Sequence, residues 1–233
     1  MSSDQLTLGV LGGMGPAATV EFLARLQAYT PAKQDEDHIR VIADINPKAD
    51  RNIPGVSAGN VLAEMAGALQ GAGAEVLAMP CNTSHAYADL IQRASGLPLI
   101  DMIDLAAVAA SDTGAMRAGV LGAKGSLKLY REYLAARAMG LVSLPPERQE
   151  AFMATLGRIK AGDLGDDVQR EMRGYAEELR KMGAEVLIAG CTEAPLVLGD
   201  DDVKLQLIDP GDLLARRAVG VCLGWDPLPH MPG

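Results

Sequence analysis

The chain has 233 residues with 21 basic and 30 acidic side chains, which gives a formal net charge of −9 and a pI of about 4.8. Hydrophobic residues make up 48% of the composition, so the chain is expected to be globular rather than disordered. An acidic chain also lacks the basic face that sequence-independent binding to nucleic acid requires.

No apolar run approaches the roughly 20 residues that cross a bilayer. The first ten residues lack the basic start and the long apolar stretch of a secretion signal. Three cysteines, at positions 81, 191 and 222, are too few for a disulfide framework, and the scattered histidines show no zinc-binding spacing. We therefore expect a cytoplasmic protein with free thiols, no metal, and neither a membrane nor a nucleic acid as partner.

Short apolar runs alternate with helical stretches along the chain. The predicted strands are 6–11, 39–45, 76–79 and 97–100, then 117–121, 141–144, 185–189 and 205–208. The predicted helices are 17–29, 57–69, 84–93 and 104–111, then 127–138, 168–182 and 212–223, with a further helix start at the two prolines 145–146. This alternation predicts an α/β fold with short parallel sheets flanked by helices.

Three blocks of sequence recur in the same order. The motif GVLG at 9–12 returns 110 positions later (119 − 9), and GAEVL at 73–77 returns at 183–187 with the same offset. LID at 99–101 returns at 207–209, now 108 positions later (207 − 99). The repeats predict two pseudo-symmetric lobes, residues 1–107 plus 212–233 and residues 108–211.

Two of the cysteines follow corresponding strands of these predicted lobes. Cys81 comes after the strand 76–79, and Cys191 comes after the strand 185–189. Because ligands of open parallel sheets bind beyond the carboxyl ends of the strands, we expect an active-site cleft between the lobes with one sulfur on each wall. Cys222 lies in an apolar stretch and is interpreted as a buried core residue.

Two opposed thiols suit a racemase. One thiolate removes a proton from one face of a carbon, while the opposite thiol delivers a proton to the other face. A helix start beside each cysteine lowers the pKa of its thiol towards neutrality. Donor groups must also stabilise the negative charge that develops on the substrate. The polar residues that follow the two cysteines are candidates for this role, namely Asn82, Thr83, Thr192 and Glu193.

The segments GVLGGMGPAAT, PCNTSH and GCTEAPLVL together resemble the aspartate/glutamate racemase family, over about residues 8–209. These are cofactor-independent amino-acid racemases, so the resemblance implies an isomerase that acts on a small amino acid without pyridoxal phosphate. It implies Cys81 and Cys191 as the catalytic acid and base. It also implies a homodimer, and it places Met14 at the border of the substrate.

The resemblance further assigns the groups that bind the substrate. Asn82, Thr83 and Thr192 are implied to hold the α-carboxylate and the amine. Arg51 and Lys160 are implied as cations facing the side-chain carboxylate of aspartate or glutamate. Two roles stay open from the residues alone. Glu193 either orients an amide or the substrate amine or is structural, and His85 either tunes the thiol of Cys81 or caps and packs.

Other functions also remain open. The same fold and paired cysteines would serve a racemase or isomerase of another substrate, such as another amino acid, a hydantoin or maleate. A non-catalytic binder of small carboxylates is a further alternative. The turn GGMG at 12–15 lacks both the GxGxxG spacing and the lysine of a phosphate-binding loop, which argues against a nucleotide site.

Overall fold

The computed structural model describes residues 5–49 and 57–231. The chain forms two compact units, the first running to Met102 and resuming at Gly211, and the second spanning Ile103–Pro210. The lobe boundaries suggested by the repeats, at 107/108 and 211/212, stay a prediction. Within the described residues, no helix is both long and apolar enough to cross a membrane.

Helices and strands alternate along most of the chain, except that two helices in succession follow β3 and two follow β5. The strands are β1 (Leu8–Gly12), β2 (Val41–Ile45), β3 (Val76–Ala78), β4 (Arg117–Val120), β5 (Gly140–Val142), β6 (Val186–Ile188) and β7 (Leu207–Ile208). The helices are α1 (Pro16–Tyr29), α2 (Ala58–Gly71), α3 (Ala88–Ser95), α4 (Met102–Asp112), α5 (Lys124–Ala135), α6 (Pro146–Lys160), α7 (Asp166–Lys181) and α8 (Pro210–Cys222).

Each unit contains one parallel sheet. The first sheet has the order β2-β1-β3, and the second has the order β5-β4-β6-β7. The predicted α/β class with short parallel sheets flanked by helices is therefore confirmed. The predicted strand 97–100 is reduced to a single parallel bridge between Leu99 and Leu77.

The predicted helix 84–93 is interrupted at its start. Residues Thr83–Tyr87 form a 3₁₀ helix, and α3 begins only at Ala88. In an α-helix the amide of His85 would bond the carbonyl of Cys81, but the His85 ring nitrogen Nδ1 lies 2.9 Å from that oxygen. The His85 amide donates instead to the carbonyl of Asn82, three residues earlier, at 3.3 Å. This bond is the tighter 3₁₀ pattern.

The repeated sequence blocks meet in space within each unit. A Cβ atom added to Gly9 of β1 would lie 2.8 Å from the Cβ of Ala74, and one added to Gly119 of β4 would lie 2.8 Å from the Cβ of Ala184. Real Cβ atoms do not approach so closely, so only glycine allows the central strand to lie against this turn. The repeat therefore preserves a packing contact as well as a sequence pattern.

In both units the GAEVL block connects the end of a helix to the start of the next strand with the same backbone hydrogen bond. Ala74 donates its amide to the carbonyl of Leu69 at 3.0 Å, and Ala184 donates to Leu179 at 3.0 Å. These bonds satisfy carbonyls that the last turns of α2 and α7 would otherwise leave open. Glu75 continues the block by accepting the Thr7 amide at 2.8 Å. Strands β3 and β6 are thereby placed directly beside the central strands.

Adding one methyl group to Gly9 or Gly119 is expected to destabilise the protein. The new Cβ overlaps alanine and leucine side chains that are themselves buried, and overpacking of this kind costs about 1–3 kcal/mol. The control is Gly67→Ala inside α2, where a Cβ meets nothing within 4 Å and the better helix propensity stabilises by about 0.5–1 kcal/mol. Urea unfolding of the three variants checks the prediction, and equal midpoints would contradict it.

Candidate active site

The turn after β1 carries Met14 and is held by one buried hydroxyl. The amide of Gly13 donates to Thr19 Oγ1 at 3.0 Å. The same hydroxyl donates to the carbonyl of Gly15 at 3.0 Å. Because Thr19 lies on α1 and is almost fully buried, it ties the turn at both sides of Met14 to the first helix.

Cys81 lies three residues beyond the end of β3 (81 − 78) and is buried. The hydroxyl of Ser84 donates to its sulfur at 3.1 Å. The same oxygen lies 3.5 Å from the sulfur of Met14. The structure therefore brings Met14 and Cys81 together around one serine, which the sequence analysis did not select as a site residue. A hydroxyl that donates to a sulfur favours negative charge on that sulfur.

The residues after Cys81 complete this turn. Asn82 is buried, and Thr83 is partly exposed. The imidazole of His85 bonds backbone atoms through both of its nitrogens: Met102 donates its amide to Nε2 at 3.3 Å, so Nδ1 carries the proton and donates to the Cys81 carbonyl. His85 thus holds the peptide of Cys81 in place, which corresponds to the structural alternative.

The second unit places Cys191 at the matching point, three residues beyond β6 (191 − 188). As a whole residue Cys191 is partly exposed, but its sulfur is buried, and the thiol donates to Glu193 Oε2 at 2.9 Å. The other oxygen of Glu193 lies 3.7 Å from Nζ of Lys160, the last residue of α6. Glu193 is only 2% exposed, whereas the Lys160 side chain is 49% exposed. Three of the predicted site residues are therefore neighbours in this unit.

This environment raises the pKa of the Cys191 thiol well above its usual value. Burial of the sulfur is the largest cause, followed by the negative charge of Glu193 and the hydrogen bond to it, while Lys160 acts in the opposite direction. Cys191 is consequently a neutral thiol at neutral pH, the form that donates a proton. A helix start had predicted the opposite direction of shift, and desolvation with a nearby carboxylate outweighs that effect here.

The remaining residues selected from the sequence lie in different surroundings. Thr192 is partly exposed between Cys191 and Glu193. Arg51 lies outside the described residues. Cys222 is fully buried in α8, as its apolar surroundings predicted, and burial raises the pKa of its thiol to about 12. Among the described residues, no group of three or more His, Cys, Asp or Glu side chains is placed to hold a metal ion.

Sequence reasoning also missed a buried glutamine that supports the turn after β4. Gln149 on α6 donates its side-chain amide to the carbonyl of Gly122 at 2.8 Å. Gly122 lies against the neighbouring turn, since an added Cβ would lie 3.0 Å from the carbonyl oxygen of Gly190. The carbonyl is 27 residues from the glutamine, so no local sequence pattern predicts this hydrogen bond.

Comparison with known proteins gives consistent results over nearly the whole chain. The model of a family described as Asp/Glu/Hydantoin racemase matches residues 11–218. The chain is 26% identical over 227 residues to the broad specificity amino-acid racemase RacX of Bacillus subtilis, covering 94% of this chain and 99% of that protein. It is 28% identical over 177 residues to a glutamate racemase of Synechococcus, covering 74% of this chain and 63% of that protein.

A solved structure, the Picrophilus torridus aspartate racemase, has the same fold. It superimposes with a TM-score of 0.80 at 24% sequence identity, over 93% of this chain and 94% of that chain. At this level of identity the likeness concerns the fold. It agrees with the arrangement of short parallel sheets described above.

Replacing Thr19 by valine is expected to loosen the turn that carries Met14. Valine has nearly the same shape but leaves the buried Gly13 amide without this acceptor, which costs about 1–3 kcal/mol. Thr30→Val is the matched control, because the Thr30 hydroxyl only donates to the Leu26 carbonyl, which also accepts the Thr30 amide. Denaturation midpoints compare the two, and a Thr30→Val loss as large as that of Thr19→Val would contradict the role assigned to Thr19.

Proposed function

Because the chain belongs to the Asp/Glu/hydantoin racemase family, we propose that it racemises an acidic amino acid, aspartate or glutamate, by proton transfer between two cysteines. The observation that carries this proposal is the equivalent position of Cys81 and Cys191. Cys81 is the third residue beyond β3, which pairs with β1, and Cys191 is the third residue beyond β6, which pairs with β4. Carboxyl ends of parallel strands are where ligands bind in such folds.

The proposed reaction is a two-base exchange at Cα. The thiolate of one cysteine takes the α-proton, and the thiol of the other delivers its proton to the opposite face of the same carbon. For the reverse reaction the two sulfur atoms exchange roles. The mechanism therefore requires the sulfur atoms to approach Cα from opposite faces. It needs no pyridoxal phosphate, because the thiols carry out both proton transfers.

The carbanion formed in this reaction needs its charge shared with the α-carboxylate. We assign the binding of the α-carboxylate and amine to Asn82, Thr83 and Thr192, whose side chains follow the catalytic cysteines. Partial exposure of Thr83 and Thr192 supports this assignment, since neither residue is fully packed in the interior of its unit. Met14, which shares the Ser84 hydroxyl with Cys81, borders the reacting carbon.

We assign the binding of the side-chain carboxylate of the substrate to Arg51 and Lys160. Lys160 supports the proposal because its side chain is half-exposed at the end of α6, close to Glu193 and therefore to Cys191. The name of the Bacillus subtilis relative, which matches almost the full length of both chains, favours a second candidate, racemisation of a wider range of amino acids.

Replacing either proposed catalytic cysteine by alanine is expected to reduce racemisation by at least about 10²–10⁴-fold, because proton transfer on one face is lost. Each single variant keeps one base, so it should still exchange the α-proton of one enantiomer with solvent deuterium. Chiral chromatography measures racemisation, and proton NMR in D₂O measures exchange.

Cys222→Ala is the control for these variants. Its thiol is fully buried and has no assigned role, so racemisation should persist even if stability falls. Full racemase activity in Cys81→Ala or Cys191→Ala would exclude the two-thiol mechanism.

Substrate selection is tested by screening enantiopure amino acids without added pyridoxal phosphate. Arg51→Met and Lys160→Met are each expected to lower kcat/KM for aspartate or glutamate about 10- to 100-fold, the effect of losing one hydrogen bond to a charged group. Arg51→Met should leave the rate on alanine nearly unchanged. Because Lys160 also lowers the pKa of the Cys191 thiol, Lys160→Met is expected to reduce the rate on alanine as well, but by less than the rate on aspartate or glutamate.

Lys181→Met, at the end of α7, is the matched control for Lys160→Met, because both lysines are the last residue of a helix and are exposed. Lys181→Met should leave all substrates unaffected. Equal losses on aspartate and alanine in Lys160→Met would show that no side-chain carboxylate is recognised by this residue.

A further inference from the structure

We propose that His85 and Ser84 act together as positioning residues for Cys81. By bonding the backbone carbonyl of Cys81, the imidazole leaves the Ser84 hydroxyl to the sulfur of the same cysteine. The inference rests on the racemase function, in which Cys81 exchanges a proton with the substrate, and adds to it two residues that prepare this sulfur. Both act through Cys81 rather than on the substrate.

The Ser84 hydroxyl differs from other serine hydroxyls in helical turns of this chain. Such a hydroxyl commonly donates to the carbonyl three or four residues earlier. Ser95 donates to the fourth preceding residue at 2.9 Å, and Ser126 to the third preceding residue at 2.9 Å. For Ser84 the third preceding residue is Cys81, but the hydroxyl lies 3.1 Å from the Cys81 sulfur and 3.5 Å from the Met14 sulfur. The hydroxyl is therefore directed at sulfur rather than at the backbone.

The backbone oxygen next to Ser84 is bonded by a different side chain. His85 Nδ1 donates to the Cys81 carbonyl at 2.9 Å, and its other ring nitrogen accepts the Met102 amide at 3.3 Å. The ring is only 6% exposed and lies between these two backbone groups, which hold it on the carbonyl. The ring thus takes the place on this oxygen that the Ser84 hydroxyl has on the backbone elsewhere in the chain.

A buried hydroxyl that donates to a cysteine sulfur favours the thiolate. Ser84 is 6% exposed and Cys81 is 9% exposed, so water has little access to either residue. A neutral sulfur accepts a hydrogen bond only weakly, whereas a bond to an ionised group is about twice as strong as a neutral one. The Ser84 hydroxyl therefore gains its strongest bond when Cys81 is ionised, the form that takes the α-proton. His85 contributes to this state through the hydroxyl.

Alkylation of Cys81 tests the hydroxyl without relying on catalysis. In a Cys191→Ser background, the rate of modification by iodoacetamide near neutral pH is followed by peptide mass spectrometry, because only the thiolate reacts. Ser84→Ala is expected to slow the modification about 10-fold, the effect of losing one hydrogen bond to a charged group. Ser84→Thr keeps the hydroxyl and should retain most of the rate. Ser95→Ala, which removes a backbone-bonded hydroxyl from the same unit, is the control and should leave the rate unchanged.

Two substitutions separate the two backbone contacts of His85. Asparagine can place an N–H group where Nδ1 lies and keep the bond to the Cys81 carbonyl. Glutamine can place an oxygen where Nε2 lies and keep the bond from the Met102 amide, but it leaves the carbonyl open. The Ser84 hydroxyl should then turn to the carbonyl, so His85→Gln is expected to slow the alkylation of Cys81 about 10-fold, whereas His85→Asn should retain most of the rate.

A double-mutant cycle tests whether the two residues act together. Ser84→Ala should slow the reaction no further in the His85→Gln protein, because the hydroxyl has already left the sulfur. A crystal structure of His85→Gln should show Ser84 Oγ at the Cys81 carbonyl. If His85→Gln does not fold, Ser84→Ala in the His85→Asn protein should still slow the reaction about 10-fold. An unchanged rate in Ser84→Ala, equal losses in His85→Asn and His85→Gln, or fully additive losses in the His85→Gln double variant would overturn the proposal.

These outcomes are independent of the racemase assignment. The alkylation rate and the position of the hydroxyl report on Cys81 whether or not the protein racemises any amino acid. A wild-type protein without racemase activity would count against the proposed function. An active wild-type protein in which the reactivity of Cys81 does not depend on Ser84 would count against the positioning roles alone.

Discussion

In both units of this protein, a glycine on one strand packs closely against the turn that precedes the neighbouring strand, and the rest of the unit depends on this contact. Glycine at position 9 or 119 leaves room for the alanine two residues before the next strand, at 74 or 184. That approach sets β3 beside β1 and β6 beside β4, in the same parallel register. Because the cysteines follow these strands by a constant three residues, the packing contact also determines where each sulfur lies in its own unit.

The duplicated frame carries different polar groups at its two cysteines. A serine hydroxyl meets the sulfur of Cys81, and a glutamate carboxylate meets that of Cys191. The imidazole of His85 anchors the Cys81 turn through the Cys81 carbonyl, whereas in the second unit the side chain of Gln149 anchors a different turn, the one after β4, through the carbonyl of Gly122.

In the second unit, the pKa of the Cys191 thiol depends more on burial than on proximity to a helix start. The carboxylate of Glu193 is nearly inaccessible to water, so its charge acts on Cys191 at short range with little screening. Lys160 shares that carboxylate but remains open to solvent. The same lysine therefore balances part of the Glu193 charge from a position that water also reaches.

The sequence alone determined the α/β class, because strand and helix patterns are local. It also determined the repeat, the family and the two cysteines after predicted strands, because these follow from motifs and their spacing. It failed where a side chain competes with the backbone: the predicted helix 84–93 starts as a 3₁₀ turn because the His85 ring takes the Cys81 carbonyl. Only tertiary structure brought Lys160 to Glu193, 33 residues away (193 − 160), and gave Cys191 a raised pKa. Such contacts depend on how α6 packs in its unit, and no periodicity or motif in the sequence predicts the distance between Lys160 and Glu193.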